Sequence, residues 1–262
     1  CERFFKSRGM ELSRFDIAEA YMAVGGIPYY LEMFSRGMSV AQKIDRLMFA
    51  RNARLKNEFE RLFGSLFIHP EQYMKTVRLL ARKHCGFTRN EISEGVGLKG
   101  GEGLTKVLES LQESGFIIKY RPFDAGRGET LYRLVDPFCR FWLRFIDGRA
   151  VKDEQYWQHN QNLPSLNAWR GIAFEELCML HITQVKKALG ISGIVSTQSE
   201  WTLRGDSSHD GSQIDMIIER ADRVVNLCEI KCCNDMFEID KAYDMTLRHR
   251  ITLLLERLRK TQ

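Results

Sequence analysis

The spacing of apolar positions divides the chain into a helical first part, a mixed middle part and an α/β last part. Across residues 10–62, apolar side chains recur at helical spacing, with Ile17 to Val24 in the first clear helix. A glycine pair ends that helix, Pro28 suits the first turn of the next, and Ser39 is the expected N-cap of a third. The pattern therefore predicts a helical region over residues 1–65.

Residues 66–147 combine helices with a pair of strands. The pattern predicts helices over Glu71–Lys83 and Glu102–Ser114. Between them, Thr88 precedes Glu91 by three positions, which is the spacing of a capping box. The later segments FIIKYRPF and TLYRLVDP have the composition of two strands. A winged-helix domain has its elements in this order: a helix, a short helix, a third helix and a two-stranded ribbon.

Residues 148–262 change to an α/β pattern. A predicted amphipathic helix over Trp169–Leu189 precedes the strand-like segments and the last helix. These segments are Gly193–Leu203, Gln213–Glu219 and Arg223–Lys231, followed by a helix over Glu238–Arg259. Taken with the first two parts, this pattern predicts an α+β multidomain protein.

Two carboxyl groups and a lysine are expected to meet on the last two of these strands. Asp215 lies near the start of one strand and Glu229 near the end of the next, and such positions are neighbours in an antiparallel pair. Lys231 follows Glu229 by two residues and projects from the same face. Because neighbouring carboxylates repel each other and a buried lysine loses solvation, this cluster is unfavourable as a purely structural motif.

A divalent cation would resolve this conflict of charge. Mg²⁺ is bound by a few carboxylate oxygens, backbone carbonyls and waters, so we expect Asp215, Glu229 and the carbonyl oxygen of Ile230 to hold Mg²⁺ or Mn²⁺. Lys231 would then orient or help to deprotonate an attacking water, while the ion stabilises negative charge. The cluster thus predicts metal-dependent cleavage of a phosphodiester.

This acidic-acidic-lysine pattern, with an acidic residue on the preceding helix, resembles the PD-(D/E)xK nuclease superfamily. The resemblance implies an α/β domain with a mixed central sheet and a further catalytic and metal-binding glutamate from the helix. The segment GIAFEEL offers Glu175 or Glu176, of which Glu175 better matches the family pattern. On the final helix, Lys241 and Tyr243 lie where related enzymes place auxiliary residues.

The segment EAYMAVGGIPYYLEMF resembles the lid region of AAA+-like P-loop ATPases of the archaeal and bacterial kind. Such proteins join a nucleotide-binding domain to a winged helix and then to a PD-(D/E)xK-like domain, and LQESGFIIKYRPF, LYRLVDPFCRFW and GIAFEEL follow in that order. The resemblance implies an ATPase-lid remnant at 1–65, a winged helix at 66–147 and a nuclease-like domain at 148–262. No GxxxxGK(S/T) segment occurs, so ATP would bind only in an N-terminal ATPase domain, and we expect this sequence to be a piece of a longer protein.

The composition of the chain indicates its cellular compartment and the kinds of partner it can bind. The net charge of +5, from 39 basic and 34 acidic residues, is compatible with nucleic acid as a partner. The 7 cysteines show neither zinc-ligand spacing nor a disulfide framework, which indicates a reducing cytoplasm. No apolar segment reaches the ~18 residues of a membrane span, so no membrane partner is expected.

Several functional alternatives stay open. DNA is the expected partner of the nuclease-like domain, together with the chain's own ATPase domain and a possible second copy of the chain. The helix expected to face DNA in the winged helix, Glu102–Ser114, carries three glutamates against Lys106, which favours a packing role over entry into a major groove. The main alternative to a nuclease is a catalytically silent module that binds nucleic acid or protein, and a third possibility is a transcription regulator.

Overall fold

The computed structural model describes residues 1–98, 101–123, 130–149, 153–203, 205 and 211–261 of an α+β protein. The chain divides into two compact units. The first comprises Cys1–Lys119 and Leu131–Glu176, and the second comprises Tyr120–Thr130 and Leu177–Gln262. The predicted boundaries after residues 65 and 147 both fall inside the first unit, and the three-domain division stays a prediction. Among the described helices, none combines the length and the apolar character needed to cross a bilayer.

Helices dominate the first unit, and their ends follow local capping chemistry. The Ser39 hydroxyl accepts a hydrogen bond from the Gln42 amide, and the Ser39 amide donates one to the Gln42 side-chain oxygen, so the predicted N-cap is part of a full capping box. Gly25 ends α2 with a φ of 74°, which a residue with a Cβ rarely adopts. The elements are α1 (Glu2–Ser7), α2 (Arg14–Val24), α3 (Pro28–Leu31), α4 (Val40–Ile44), a π-helical turn (Asp45–Phe49), α5 (Glu58–Leu66), α6 (Pro70–Leu80), α7 (Arg89–Val96), α8 (Gly101–Glu113), α9 (Pro137–Phe145), α10 (Tyr156–His159) and α11 (Pro164–Leu180), which continues into the second unit.

A small sheet accompanies α6 to α8. Its strands are β1 (Phe87–Thr88), β2 (Ile117–Tyr120) and β3 (Leu131–Leu134), in the order β1-β3-β2. The capping box predicted at the start of α7 is confirmed, because the Thr88 hydroxyl accepts from the Glu91 amide and Glu91 accepts from the Thr88 amide. The predicted order of helix, short helix, helix and two strands is therefore present, with β1 as an additional short strand.

Aromatic side chains fill the core beside α9. Four of them are almost fully buried: Phe138, Phe141, Trp142 and Phe145. The Trp142 ring stacks on Phe59 with 4.7 Å between centroids, and its Nε1 donates to the Lys56 carbonyl at 2.9 Å. The aromatic face of α9 thus packs in the core of the first unit.

The second unit is organised around a three-stranded sheet. Its elements are α12 (Ile182–Ala188), β4 (Ser196–Leu203), β5 (Ser212–Arg220), β6 (Val225–Cys228) and α13 (Lys241–Thr261). The single helix predicted over Trp169–Leu189 is two helices, since α11 ends at Leu180 and α12 begins at Ile182. Strand β5 is the most buried strand of the sheet, with Ile217 packed against α13 on one face and Ile218 against Ile182 on the other.

The predicted mixed sheet is corrected by the strand pairing. The order is β4-β5-β6, and both pairs among the described residues are antiparallel. The physical reason is the length of the connections. A four-residue turn after Arg220 and a short connection after Leu203 permit only reversal of the chain, whereas parallel neighbours need a crossover of a dozen or more residues.

Candidate functional site

The β5–β6 hairpin brings Asp215 next to the segment that follows β6. Met216 pairs with Cys228 at the end of the ladder, and Asp215 and Glu229 are the residues just beyond that pair on the two segments. The Ile230 amide donates a hydrogen bond to Asp215 Oδ2 at 2.8 Å. The Asp215 side chain therefore contacts the segment that contains Glu229, Ile230 and Lys231, and a shared site of these residues stays a prediction.

A tight reversal fixes this register. The Arg220 amide donates to the Val224 carbonyl at 3.0 Å, and Arg223 adopts a φ of 67° within the turn. Asp222 lies in this turn, at the opposite end of the hairpin from Asp215. Strand β5 is irregular next to Asp215, since Ser199 of β4 pairs with Ile217 whereas Trp201 pairs with Ile214.

Asp215 is a buried carboxylate on the most buried strand. Only 6% of its surface is exposed, and Gln213 Nε2 lies 3.4 Å from its Oδ1. Its neighbours Ile214 and Met216 are packed in apolar clusters on the two sides of the sheet. Packing and hydrogen bonds thus restrict the position of Asp215, as a site with defined geometry requires.

Glu229 is surrounded by donors on both of its carboxylate oxygens. Oε1 lies 2.6 Å from Lys231 Nζ and accepts a 2.6 Å hydrogen bond from the Tyr243 hydroxyl. Oε2 accepts a 2.6 Å hydrogen bond from Arg250. The side chains of Lys231 and Arg250 keep 38% and 22% exposure, so the cluster opens to solvent through its cations.

The protonation equilibria follow from this arrangement. Burial raises the pKa of Glu229, but hydrogen bonds from Lys231 and Tyr243 and the nearby positive charges outweigh burial and hold it below its ordinary value. Burial lowers the pKa of Lys231, yet the bonds to Glu229 and Tyr243 raise it well above the ordinary lysine range. Burial, followed by the Glu229 carboxylate, raises the pKa of Tyr243. The site thus holds an ionised glutamate beside a protonated lysine.

Helix α13 supplies two members of the cluster. The family resemblance predicted Tyr243 as an auxiliary residue of the site, whereas it made no prediction for Arg250. Their separation of seven residues places both on one face of a helix, and this spacing is the signal that the sequence contained. Lys241, the other auxiliary candidate, is exposed at the start of α13.

The upstream glutamates belong to the first unit. Glu175 Oε2 lies 3.5 Å from His84 Nε2. Glu176 is 3% exposed and lies 3.5 Å from Arg133 and 3.6 Å from Arg140, as in a buried ionic network. The role of Glu175 as a catalytic residue and metal ligand stays a prediction.

The hairpin offers carboxylate oxygens, which are the ligand type that a hard divalent cation prefers. The described part of the chain contains no group of three or more histidine, cysteine, aspartate or glutamate side chains placed to hold an ion. Two carboxylates, on Asp215 and Glu229, can still serve Mg²⁺, which is commonly held by one or two carboxylates with substrate phosphates and water. Such an ion would have to compete with Lys231 and Arg250 for Glu229.

Comparisons with known proteins yield no relative. No protein-family model matches the chain, and neither the curated proteins nor the solved structures include a match. Function must therefore be argued from the site itself.

Proposed function

We propose that the cluster of Asp215, Glu229 and Lys231 is the active site of a PD-(D/E)xK-like domain that cleaves DNA phosphodiesters with a divalent cation. One observation carries this proposal. Asp215 accepts a hydrogen bond from Ile230 at 2.8 Å, between Glu229 and a lysine that lies 2.6 Å from the Glu229 carboxylate. Two acids and a cation on one edge of a hairpin form the minimum set for metal-assisted phosphodiester hydrolysis.

Asp215, Glu229 and the Ile230 carbonyl would hold Mg²⁺ or Mn²⁺, and Glu175 is a further ligand on the family pattern. When bound, the ion supplies positive charge beside a phosphoryl oxygen and acidifies water. The remaining chemistry belongs to the chain's own residues. The hydrogen bond from Ile230 orients Asp215, and the buried strand keeps that carboxylate fixed.

Lys231 and Arg250 are suited to a substrate phosphate. Both cations now contact Glu229 and are partly exposed, so each can turn toward an incoming anion. A lysine is a mobile point charge, and an arginine presents a planar fork that matches phosphate oxygens. Tyr243 holds Glu229 through its hydroxyl and thereby positions the carboxylate.

The wider architecture extends the proposal. The order of α6, α7, α8, β2 and β3, with the sheet order β1-β3-β2, supports a winged helix within the chain. In that interpretation the chain is the C-terminal portion of a P-loop ATPase, with ATP bound by an N-terminal domain and DNA as the partner. Coupling of ATP hydrolysis to the nuclease-like domain is part of the same proposal.

A second candidate function is a catalytically silent module that binds nucleic acid or protein. One observation favours it: both Glu229 oxygens already receive hydrogen bonds, two of them from cations, so the glutamate charge is compensated without a metal. In this case Lys231 and Arg250 would serve binding alone. Salt-sensitive DNA binding without turnover, unchanged in Glu229→Gln, would be its signature.

A cleavage assay separates the two candidates. The full chain is incubated with supercoiled and linear duplex DNA in Mg²⁺, in Mn²⁺ or in EDTA, alongside Asp215→Ala and a matched control, Asp222→Ala. Asp222 is an exposed acid on the same hairpin that pairs with Arg220. The proposal predicts metal-dependent cleavage that Asp215→Ala loses and Asp222→Ala keeps. Equal activity in both variants, or no cleavage by the folded wild-type chain, contradicts it.

A further inference from the structure

The first unit contains an open cavity of about 620 Å³. It lies among the C-terminal end of α6, the helix α9 and the start of α11. One acidic residue, Asp147, lines it. The basic residues that line it are Arg78, Arg82, His84, Arg140, Arg144 and Arg149. Such an excess of guanidinium groups around one concavity raises the local concentration of anions.

Two of these arginines are already held by carboxylates. Arg78 forms a bidentate pair with Asp147, at 2.9 and 3.2 Å, and also contacts Glu60 at 3.3 Å. Arg140 lies 3.6 Å from Glu176 and donates to the Leu134 carbonyl at 2.9 Å. Both guanidinium groups therefore have restricted positions and form a rigid part of the wall.

The other three arginines are exposed and uncompensated. Arg82 follows α6, Arg144 lies on the last turn of α9, and Arg149 follows that helix. Within the part of the chain that the structure describes, no ion pair or side-chain hydrogen bond is formed by these three guanidinium groups. Their positive charge is thus available to a ligand, and an arginine fork matches the oxygens of a phosphate.

An apolar wall completes the cavity. Leu143, Ile172 and Trp169 line it together with the arginines. The Trp169 ring is fixed by edge contacts with Phe145 and Trp157, at centroid distances of 5.3 and 5.4 Å. A concave site of this volume with an apolar wall and a few charged groups has the character of a small-ligand site.

We infer that this cavity binds an organic phosphate of nucleotide size, with Arg82, Arg144 and Arg149 contacting the phosphate and the apolar wall contacting the base. The ligand chemistry is a phosphate ester next to a planar ring. It can come from a free nucleotide or from one unit of a nucleic-acid strand. This site is independent of the hairpin cluster, so it does not rest on the proposed nuclease function.

Binding to the full chain tests the inference in EDTA, where metal-dependent cleavage does not contribute. The probes are inorganic triphosphate and ATP by calorimetry, and a labelled short single-stranded oligodeoxynucleotide by anisotropy. The test variant replaces Arg82, Arg144 and Arg149 with Ala. The matched control replaces Arg3, Arg14 and Arg61 with Ala, which removes the same charge from exposed positions elsewhere in the first unit.

We expect the cavity variant to lose affinity for the bound probe by on the order of tenfold or more, and the control variant to stay within about twofold of wild type. Binding of ATP alone assigns the site to a free nucleotide, and binding of the oligonucleotide alone assigns it to a strand. Equal losses in the two triple variants, or no binding of any probe by the folded wild-type chain, overturn the inference. Asp215→Ala is expected to bind normally, which separates this site from the proposed nuclease.

Discussion

Asp45 in the first unit and Glu229 in the second are both carboxylates with several hydrogen bonds, but their donors differ. Asp45 is 3% exposed and accepts bonds from the Trp157 amide at 2.7 Å and from the Gln158 amide and side chain at 3.1 and 2.9 Å. Among the residues that the structure describes, the donors to Glu229 are the side chains of Lys231, Tyr243 and Arg250. The first carboxylate is held by neutral groups and the second mainly by cations.

This difference separates a structural carboxylate from an exchangeable one. Backbone amides cannot leave Asp45 without distortion of the chain, and burial, helped by the charge of Asp153, raises the pKa of Asp45. The cationic side chains around Glu229 can rotate toward a substrate while the backbone stays in place. The donors of Asp45 thus suit a structural role, and the donors of Glu229 suit the ligand-binding role that we propose for it.

The largest expected effect is on catalysis at the exchangeable site. If the chain is the proposed nuclease, Lys231→Ala should lower the metal-dependent cleavage rate by about 100-fold or more, because the proposal assigns this charge to the transition state. The rate of plasmid nicking is the measurement. The control is Lys187→Ala, an exposed lysine on α12 of the same unit. If Lys231→Ala cleaves DNA as fast as this control, the interaction of Lys231 with Glu229 does not serve catalysis.

The next largest effect is on stability at the structural carboxylate. Asp45→Ala leaves buried donors on Trp157 and Gln158 unsatisfied, so we expect the free energy of unfolding to fall by about 2–4 kcal/mol. Urea denaturation followed by tryptophan fluorescence measures it. Asp153→Ala, at an exposed carboxylate nearby, should change stability much less. Equal stability of the Asp45→Ala and wild-type chains would show that these hydrogen bonds are not structural.

A smaller effect is expected from the residue that positions Glu229. Tyr243→Phe removes one hydroxyl donor but leaves Lys231 and Arg250 in contact with the carboxylate. The loss of one hydrogen bond corresponds to about 1 kcal/mol, so the cleavage rate should fall about fivefold. The binding of DNA in EDTA should not change. A loss of DNA affinity with an unchanged rate would assign Tyr243 to binding instead.

The smallest effect is expected at a neighbouring pair on α13. Arg248 donates to Asp244 at 2.7 Å, but both side chains are largely exposed. Arg248→Ala should leave the cleavage rate and the unfolding midpoint unchanged within error, since exposed pairs contribute little to stability. Arg250→Ala, two residues away on the cluster side of the helix, should lower the rate. If Arg248→Ala and Arg250→Ala lower the cleavage rate equally, Arg250 acts only through its positive charge and not through its contact with Glu229.

Local chemistry explains what the sequence predicted well. Thr88 with Glu91 and Ser39 at α4 are caps, and each depends only on residues three positions apart. The meeting of Asp215 with the Glu229 segment needed only a hairpin register. These features lie close together along the chain, so short-range patterns determine them.

Contacts made by packing were not predictable in the same way. Arg250 reaches Glu229 across 21 residues, which depends on the rotation of α13 against the sheet. The break at His181, which divides the predicted helix into α11 and α12, coincides with no proline or glycine. The pairing of Glu175 with His84 likewise depends on tertiary packing in the first unit. Periodicity specifies which face of a helix is apolar, but it does not specify the partner of that face.

The proposed nuclease function requires that Asp215 and Glu229 bind a divalent cation. Calorimetric titration of Mn²⁺ into the folded wild-type chain, Asp215→Ala and Asp222→Ala tests it most directly. We expect Mn²⁺ to bind the wild-type and Asp222→Ala chains but not Asp215→Ala, with all three chains equally folded by circular dichroism. The absence of binding to the wild-type chain, or equal binding to Asp215→Ala, would contradict it.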